Sequence, residues 1–230
     1  MRSTSNPLIP QILSVETATL AGSVALSRGD EVIAALAGDS GVSHSNTLLS
    51  DIDRVLAEAQ VELADVDLFA VATGPGSFTG LRIGIATVKG LAATLDRPAA
   101  GVPTLQAVAL AAGPSPRSVA LLPAGRGEVF AQLFSVTKDG LVTELDKATH
   151  ISPTRLLEKY GSLESVLWCG EGAITHQALL ENKGMVAPAV TNLATHVAKL
   201  AFTKFRDQQL VHPDALQAIY VRPSDAELKV

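Results

Sequence analysis

The sequence predicts a mixed α/β protein of two similar lobes, and three observations carry that expectation. Short apolar strands bounded by turn residues alternate with amphipathic helices. The order strand-strand-strand-helix-strand-helix-strand in the first half is loosely repeated in the second as strands, helix, strand, helix. The 230 residues, 47% of them hydrophobic, suffice for one large domain or two small ones with real cores. The first lobe is expected over 8–105 and the second over 106–230. The last helix and the tail have the option of packing back on the first lobe. Ala112-Gly113-Pro114-Ser115-Pro116 reads as the loop between the lobes.

The elements follow in order. Gln11 to Val15 reads as a buried strand. Ser23 to Ser27 and Glu31 to Leu36 follow across Ala21-Gly22 and Arg28-Gly29-Asp30, an antiparallel meander. A helix then starts with Ser43 or Ser45 as N-cap. Its Leu48, Leu49, Ile52, Val55, Leu56 and Ala59 share one arc, while Asp51, Arg54 and Glu58 lie elsewhere. Leu68 to Ala72 is the next strand, followed by a Gly-rich turn, a helix to about Leu95, and a strand at Ala99 to Val102. In the second half, strands are expected at Val119–Leu122, Glu128–Val136, Leu141–Leu145 and Ser165–Cys169. Helices are expected at Pro153–Tyr160 (capped by Ser152), about Ala173–Leu180 and about Asn192–Asp207.

Composition excludes several classes. A net charge of −5 opposes an autonomous nucleic-acid binder. Cys169 is the single cysteine, which rules out an internal disulfide and fits a reducing compartment. The leader Met1–Pro7 lacks the apolar segment of a signal peptide, and no apolar run approaches the ~20 residues of a membrane span. A cytoplasmic protein is expected. His44, His150, His176, His196 and His212 include no pair three or four apart, so no single helix presents a metal pair, and no metal is expected. Ser77 lacks the Gly-x-Ser-x-Gly elbow, and Cys169 in an apolar strand reads as a small core residue.

The most informative stretch is Gly74-Pro75-Gly76-Ser77-Phe78-Thr79-Gly80-Leu81-Arg82-Ile83-Gly84. Such a turn brings backbone close either to an anion at a helix N-terminus or to another piece of protein. It has neither the Gly-Lys-Ser/Thr ending of a Walker loop nor a dinucleotide fingerprint. The helix it opens is apolar nearly all round. Leu81, Ile85, Val88, Ala92 and Leu95 form one face; Ile83, Ala86, Gly90 and Ala93 form the opposite one; Arg82 and Lys89 share a flank. Such a helix is either sandwiched inside the chain or packed on another subunit. Glu16-Thr17-Ala18-Thr19, at the end of the first strand, reads either as a cradle for phosphate-bound Mg²⁺ or as an ordinary hairpin. Gly170-Glu171-Gly172 reads either as a ligand-facing turn or as a plain strand-to-helix connection.

Taken together these pieces resemble a known family. Ile12–Thr19, Ser43-His44-Ser45, Gly74–Gly84, Arg126-Gly127-Glu128-Val129-Phe130 and Tyr220–Glu227 occur in the order of the TsaB (YeaZ) family, tRNA threonylcarbamoyladenosine biosynthesis subunits. The resemblance spans about residues 9 to 228. It implies a two-lobed actin-like ATPase fold (ASKHA, ribonuclease H-like), with mixed sheets flanked by helices. It implies a non-catalytic scaffold that pairs with the TsaD-like transferase subunit and recruits a TsaE-like ATPase. The complex moves threonylcarbamoyl onto the adenosine beside the anticodon in tRNAs reading codons that begin with A. No cofactor is implied for this chain itself; the complex uses ATP and Mg²⁺, and tRNA is met through the complex.

Pairing in the family, with the transferase or in a homodimer, uses the first two long helices, here about Asn46–Gln60 and Phe78–Leu95. The interface residues implied are Leu49, Ile52, Asp53, Leu56, Ile83, Ala86, Thr87, Gly90 and Ala93. Gly74, Pro75, Gly76, Ser77, Phe78, Thr79, Gly80 and Arg82 form the family loop. Glu16, Thr17, Thr19, Gly170 and Gly172 mark a residual nucleotide site. Several positions depart from the family pattern. Glu16 stands where the family has Asp, Pro123 where it has another Asp, Gly125 where it has Arg and Phe130 where it has Tyr. The altered acids argue against independent ATPase activity. The alternatives are an actin-like ATPase or small-molecule kinase, which needs those acids, and a divergent transferase, which needs a metal site.

Overall fold

The computed structural model describes residues 9–38 and 44–221, without the side chains of 44–46. The leader Met1–Pro7, the cap candidate Ser43 and the family ending beyond Val221 lie outside the described residues.

The first sheet grows from β1 (Gln11–Glu16), β2 (Ser23–Arg28) and β3 (Glu31–Ala37), the expected meander. Helix α1 (His44–Ala59) leads to β4 (Leu68–Gly74), α2 (Phe78–Thr94) and β5 (Ala99–Pro103). The sheet order is β3-β2-β1-β4-β5, with β4 parallel to both β1 and β5. Because α1 begins at His44, Ser45 lies inside the helix and is not its cap.

The central strands are buried at nearly every position, so the pleat sorts their side chains between two cores. Leu13, Val15, Phe69 and Val71 pack with Ile52 and Val55 of α1 and Ile85, Val88 and Ala92 of α2. Ile12, Leu68, Ala70 and Ala72 face the opposite side. There they meet α3 (Thr104–Ala111) and α7 (Ala194–Arg206). Helix α3 was not expected from sequence. It fills the stretch between the last first-lobe strand and the predicted interlobe loop.

The second sheet is built by β6 (Ser115–Gly125), β7 (Glu128–Val136), β8 (Val142–Glu144), β9 (Thr149–Ile151), β10 (Leu167–Cys169) and β11 (Met185–Val186). Its order is β11-β10-β6-β7-β8, with β9 also on β7. Strand β6 takes in Ser115 and Pro116, which narrows the expected connecting loop. A register shift between Ser115 and Ser118 accommodates the proline, which cannot donate to a regular ladder. Helix α4 (Pro153–Tyr160) matches its prediction, and Ser152 Oγ accepts from the Arg155 amide. The helix expected over 173–180 is instead two short ones, α5 (Glu171–Thr175) and α6 (Gln177–Leu180), broken at His176. They cover the far face of the second sheet, where Trp168, Leu121 and Tyr160 form a third core.

The layers are therefore α1 and α2, the first sheet, α3 and α7, the second sheet, and α4 to α6. Helix α7 is fixed to the first sheet by polar bonds at its start. Ser14 Oγ donates to the Ala194 carbonyl at 2.9 Å, and the Ala194 amide donates to Ser23 Oγ at 3.0 Å.

Candidate functional site: the glycine-rich turn, its helix and the cleft behind it

Each glycine of the Gly74–Gly84 stretch marks a close approach of protein to protein. A Cβ at Gly74 (φ +112°) would sit 2.6 Å from the Ile219 carbonyl oxygen, and one at Gly76 2.5 Å from the Ala18 carbonyl oxygen. A Cβ at Gly80 would overlap the Thr17 carbonyl oxygen, and one at Gly84 the Thr17 hydroxyl. Gly74-Pro75 is a cis peptide.

The polar groups of the turn are used in the same way. The Ser77 amide donates to the Ala18 carbonyl at 2.8 Å. Ser77 caps α2 by accepting from the Gly80 amide at 3.2 Å. Thr17 Oγ1 donates to the Gly80 carbonyl at 2.7 Å. Of the two readings the turn allowed, the geometry favours a protein contact. The Gly74 amide is committed to Thr104 Oγ1, the Ser77 amide to the β1–β2 hairpin and the Gly80 amide to the cap of the helix.

A late segment completes this corner. Val211 pairs with Ala99 at the edge of β5, and the Ile219 amide donates to the Thr73 carbonyl at 2.7 Å. The Tyr220 ring lies 5.2 Å from that of Phe78. The Arg82 guanidinium stacks 3.7 Å over Phe78, and Arg82 Nε donates to Tyr220 Oη at 3.4 Å. Thr79 is exposed beside this cluster. Sequence reading missed Tyr220 as a member, because no local pattern links it to a helix 138 positions away.

Helix α2 buries Leu81, Ile85, Val88 and Ala92 on its own sheet. Among the described residues nothing sandwiches its opposite face: Ala86, Gly90 and Ala93 are exposed, and Ile83 and Thr87 are half-buried. A Cβ at Gly90 would meet nothing within 4 Å among the described residues. On α1, Leu49 is 62% exposed and Asp53 is also exposed. The other two α1 residues implied for an interface are placed differently. Ile52 and Leu56 are 2% and 6% exposed and belong to the core between α1 and the first sheet. Both lie on the arc that faces the sheet, where Leu49 is the exception.

Behind the turn, a cleft of about 450 Å³ opens between the two sheets. Glu16, Thr19, Gly170 and Glu171 line it, with Val108, Leu122, Ile174 and Leu193 among its apolar walls. Thr17 and Gly172, predicted for the same site, are not in the lining. Thr17 faces α2, and Gly172 approaches β6, where a Cβ would lie 2.9 Å from Leu121 Cβ. Pro123 is exposed near the β6–β7 hairpin, also outside the lining.

Glu16 is 1% exposed and accepts from the Thr19 amide at 2.7 Å and the Thr19 hydroxyl at 2.6 Å. Burial raises the pKa of Glu16; the Thr19 bonds oppose this, and the nearby Glu171 charge adds to it. Burial likewise raises Glu171, against a hydrogen bond from the Leu20 amide. An acid whose pKa is higher in the folded state contributes stability below its unfolded pKa and loses it as pH rises through the folded value. Glu16 is therefore expected to cost stability increasingly as pH rises above its ordinary 4.5. Chemical denaturation of Glu16→Gln across pH 4 to 8 should show a flatter profile than the parent. An equally steep profile would mean that other groups set the slope.

Of the histidines, His150 pairs with Glu128 at 2.8 Å and His212 with Asp214 at 3.3 Å. His196 Nδ1 lies 3.1 Å from the Thr195 hydroxyl, and His176 marks the break between α5 and α6. Among the described residues no three His, Cys, Asp or Glu side chains converge as a metal-ligand set. Burial pushes the Cys169 thiol up to about 12, which suits a core residue. Among the same residues no helix is long and apolar enough to cross a membrane.

The family model described as "TsaD: tRNA N6-adenosine threonylcarbamoyltransferase" matches residues 39–213. The TsaB protein of Bacillus subtilis, named for tRNA threonylcarbamoyladenosine biosynthesis, is 27% identical over 224 residues, covering 95% of this chain and 96% of its own. The Escherichia coli protein of that name is 27% identical over 227 residues, covering 96% and 98%. The structure of YeaZ from Pseudomonas aeruginosa superposes with a TM-score of 0.80 at 25% identity, covering 92% of this chain and 99% of that one. The fold is the two-lobed actin-like ATPase fold with mixed sheets flanked by helices. The glycine-rich corner, the architecture and the near full-length matches agree: the chain belongs to the TsaD family, within its TsaB (YeaZ) group of tRNA threonylcarbamoyladenosine biosynthesis proteins.

Proposed function

We propose that this chain is a non-catalytic scaffold and activating subunit of the complex that places threonylcarbamoyl on the adenosine beside the anticodon, in tRNAs reading codons that begin with A. The observation that carries the reading is the uncovered small-residue face of α2, with Leu49 and Asp53 of α1 beside it. Small residues let a partner helix approach closely, and an uncovered apolar face on a folded domain marks a partner. The partner is a TsaD-like transferase subunit, with a second copy of this chain as competitor for the face. A TsaE-like ATPase joins the assembled pair, and tRNA is held by the complex in the cytoplasm.

A Mg-ATP site in the cleft fits these residues poorly. Phosphates need free donors at the β1–β2 hairpin and at the start of α2. Here the Thr19 amide and hydroxyl bond to Glu16, Thr17 bonds to Gly80, and the Ser77 amide bonds to Ala18. ATP and Mg²⁺ therefore belong to the other subunits.

Activation without chemistry is a coupling free energy. The α1–α2 face has to bind the competent state of the transferase more tightly than the idle one. The test is reconstitution with the chain's own TsaD-like and TsaE-like proteins, threonylcarbamoyl-adenylate, ATP and substrate tRNA. Omitting this chain should lower the yield of modified tRNA at least about tenfold, the effect of ~1.4 kcal/mol of coupling. Undiminished modification in its absence would overturn the reading.

A further inference from the structure

The cleft between the sheets has a charge and a shape that the partner helices do not explain. Its walls are mostly apolar, from Ala21, Val108, Leu122, Ile174, Val190 and Leu193. Two carboxyl groups enter it, Glu16 from β1 and Glu171 from the start of α5. No lysine, arginine or histidine is among the described residues that line it. Glu16 is almost wholly buried, and its hydrogen bonds come from neutral groups, the Thr19 and Ala18 amides and the Thr19 hydroxyl, so its charged form lacks a cationic partner among the described residues lining the cleft. Glu171 accepts from a neutral amide and adds a second negative charge close enough to act on Glu16.

An anion is disfavoured in such a site, which two acids and no basic side chain line among the described residues. A divalent ion finds only two carboxylates here, and no three His, Cys, Asp or Glu side chains converge among the described residues. A ligand with one ammonium group and an apolar body satisfies both halves: the ammonium donates to the two carboxylates and the body displaces water from the walls. The volume, about 450 Å³, lies within the range of small-molecule sites. We propose that the cleft binds a small organic monoammonium ligand, with Glu16 and Glu171 as the ammonium acceptors and Val108, Leu122 and Ile174 as the walls of its apolar body.

The experiment is calorimetric titration of the full chain with 2-phenylethylammonium, compared with its neutral isostere 2-phenylethanol, the anion 3-phenylpropanoate, Mg-ATP and MgCl₂. The ammonium should bind at one site, at least about tenfold more tightly than the alcohol, the scale of a charge-assisted hydrogen bond. The anion and Mg-ATP should neither bind the cleft nor displace it. Glu171→Gln should weaken the ammonium about tenfold and leave the alcohol unchanged. Ile174→Trp, which fills the cleft from an exposed helix, should abolish binding of both while circular dichroism stays native. Equal affinity for ammonium and alcohol, displacement by Mg²⁺ or Mg-ATP, or no binding of the ammonium to folded protein would each overturn the assignment.

Discussion

Gly80→Ala should lower the thermal midpoint by about 4–24 °C, a large effect for one added methyl group. The added Cβ overlaps the carbonyl oxygen of Thr17, which is backbone and has no rotamer to change. The start of α2 has to lift from the β1–β2 hairpin. That movement stretches the buried Thr17 to Gly80 bond and the Ser77 cap. Overpacking costs about 1–3 kcal/mol, and a buried donor left unpaired costs about 1–3 more. For a chain of this size each kcal/mol shifts the midpoint by about 2–4 °C. Gly90→Ala is the matched control. It adds the same methyl to the same helix where nothing lies within 4 Å, and should stabilise by about 0.5–1 kcal/mol. Differential scanning calorimetry of the pair decides the matter: similar midpoints would mean that the turn is not tightly packed against Thr17.

Gly90→Arg should leave the monomer folded and weaken pairing with the transferase subunit at least about 100-fold, which corresponds to ~2.7 kcal/mol. The position is exposed, and a Cβ there meets nothing within 4 Å among the described residues, so the arginine can extend into solvent. It does stand in the middle of the small-residue face, where a partner helix needs close approach. Co-elution with the transferase, followed by titration, reads the loss. Pairing of unchanged affinity would remove α2 from the interface, and Leu49→Glu on α1 then tests the neighbouring helix.

How far the sequence reveals these features depends on the range over which each one is encoded. The meander, β4, α2 and α4 were legible because turn residues and caps bound them locally and periodicity is read within one element. Helix α3 was not. Thr104–Ala111 is almost entirely apolar, so with no polar side it shows no helical period, a consequence of lying between the two sheets. The α1 residues that the resemblance implies for an interface split for a related reason. Hydrophobicity places Leu49 and Ile52 on the same arc, but only packing reveals that Ile52 is spent on the sheet and Leu49 is not. The cleft was half legible. Glu16, Thr19 and Gly170 were singled out, yet the meeting of Glu16 with Glu171 depends on how the two sheets face each other, which no local pattern encodes.

The segment from Val211 to Tyr220 also bears on how the protein is made. It closes the edge of β5, lies along α2 where Lys89 Nζ donates to the Asp214 carbonyl at 3.1 Å, and ends on the ring of Phe78. During synthesis, α2 and β5 leave the ribosome more than 100 residues before the segment that fastens them. Until Tyr220 has emerged, the strand edge is open to stray pairing and the helix lacks one of its supports. A chain halted before Tyr220 therefore leaves the start of α2 without the ring and hydroxyl contacts that Phe78 and Arg82 make there.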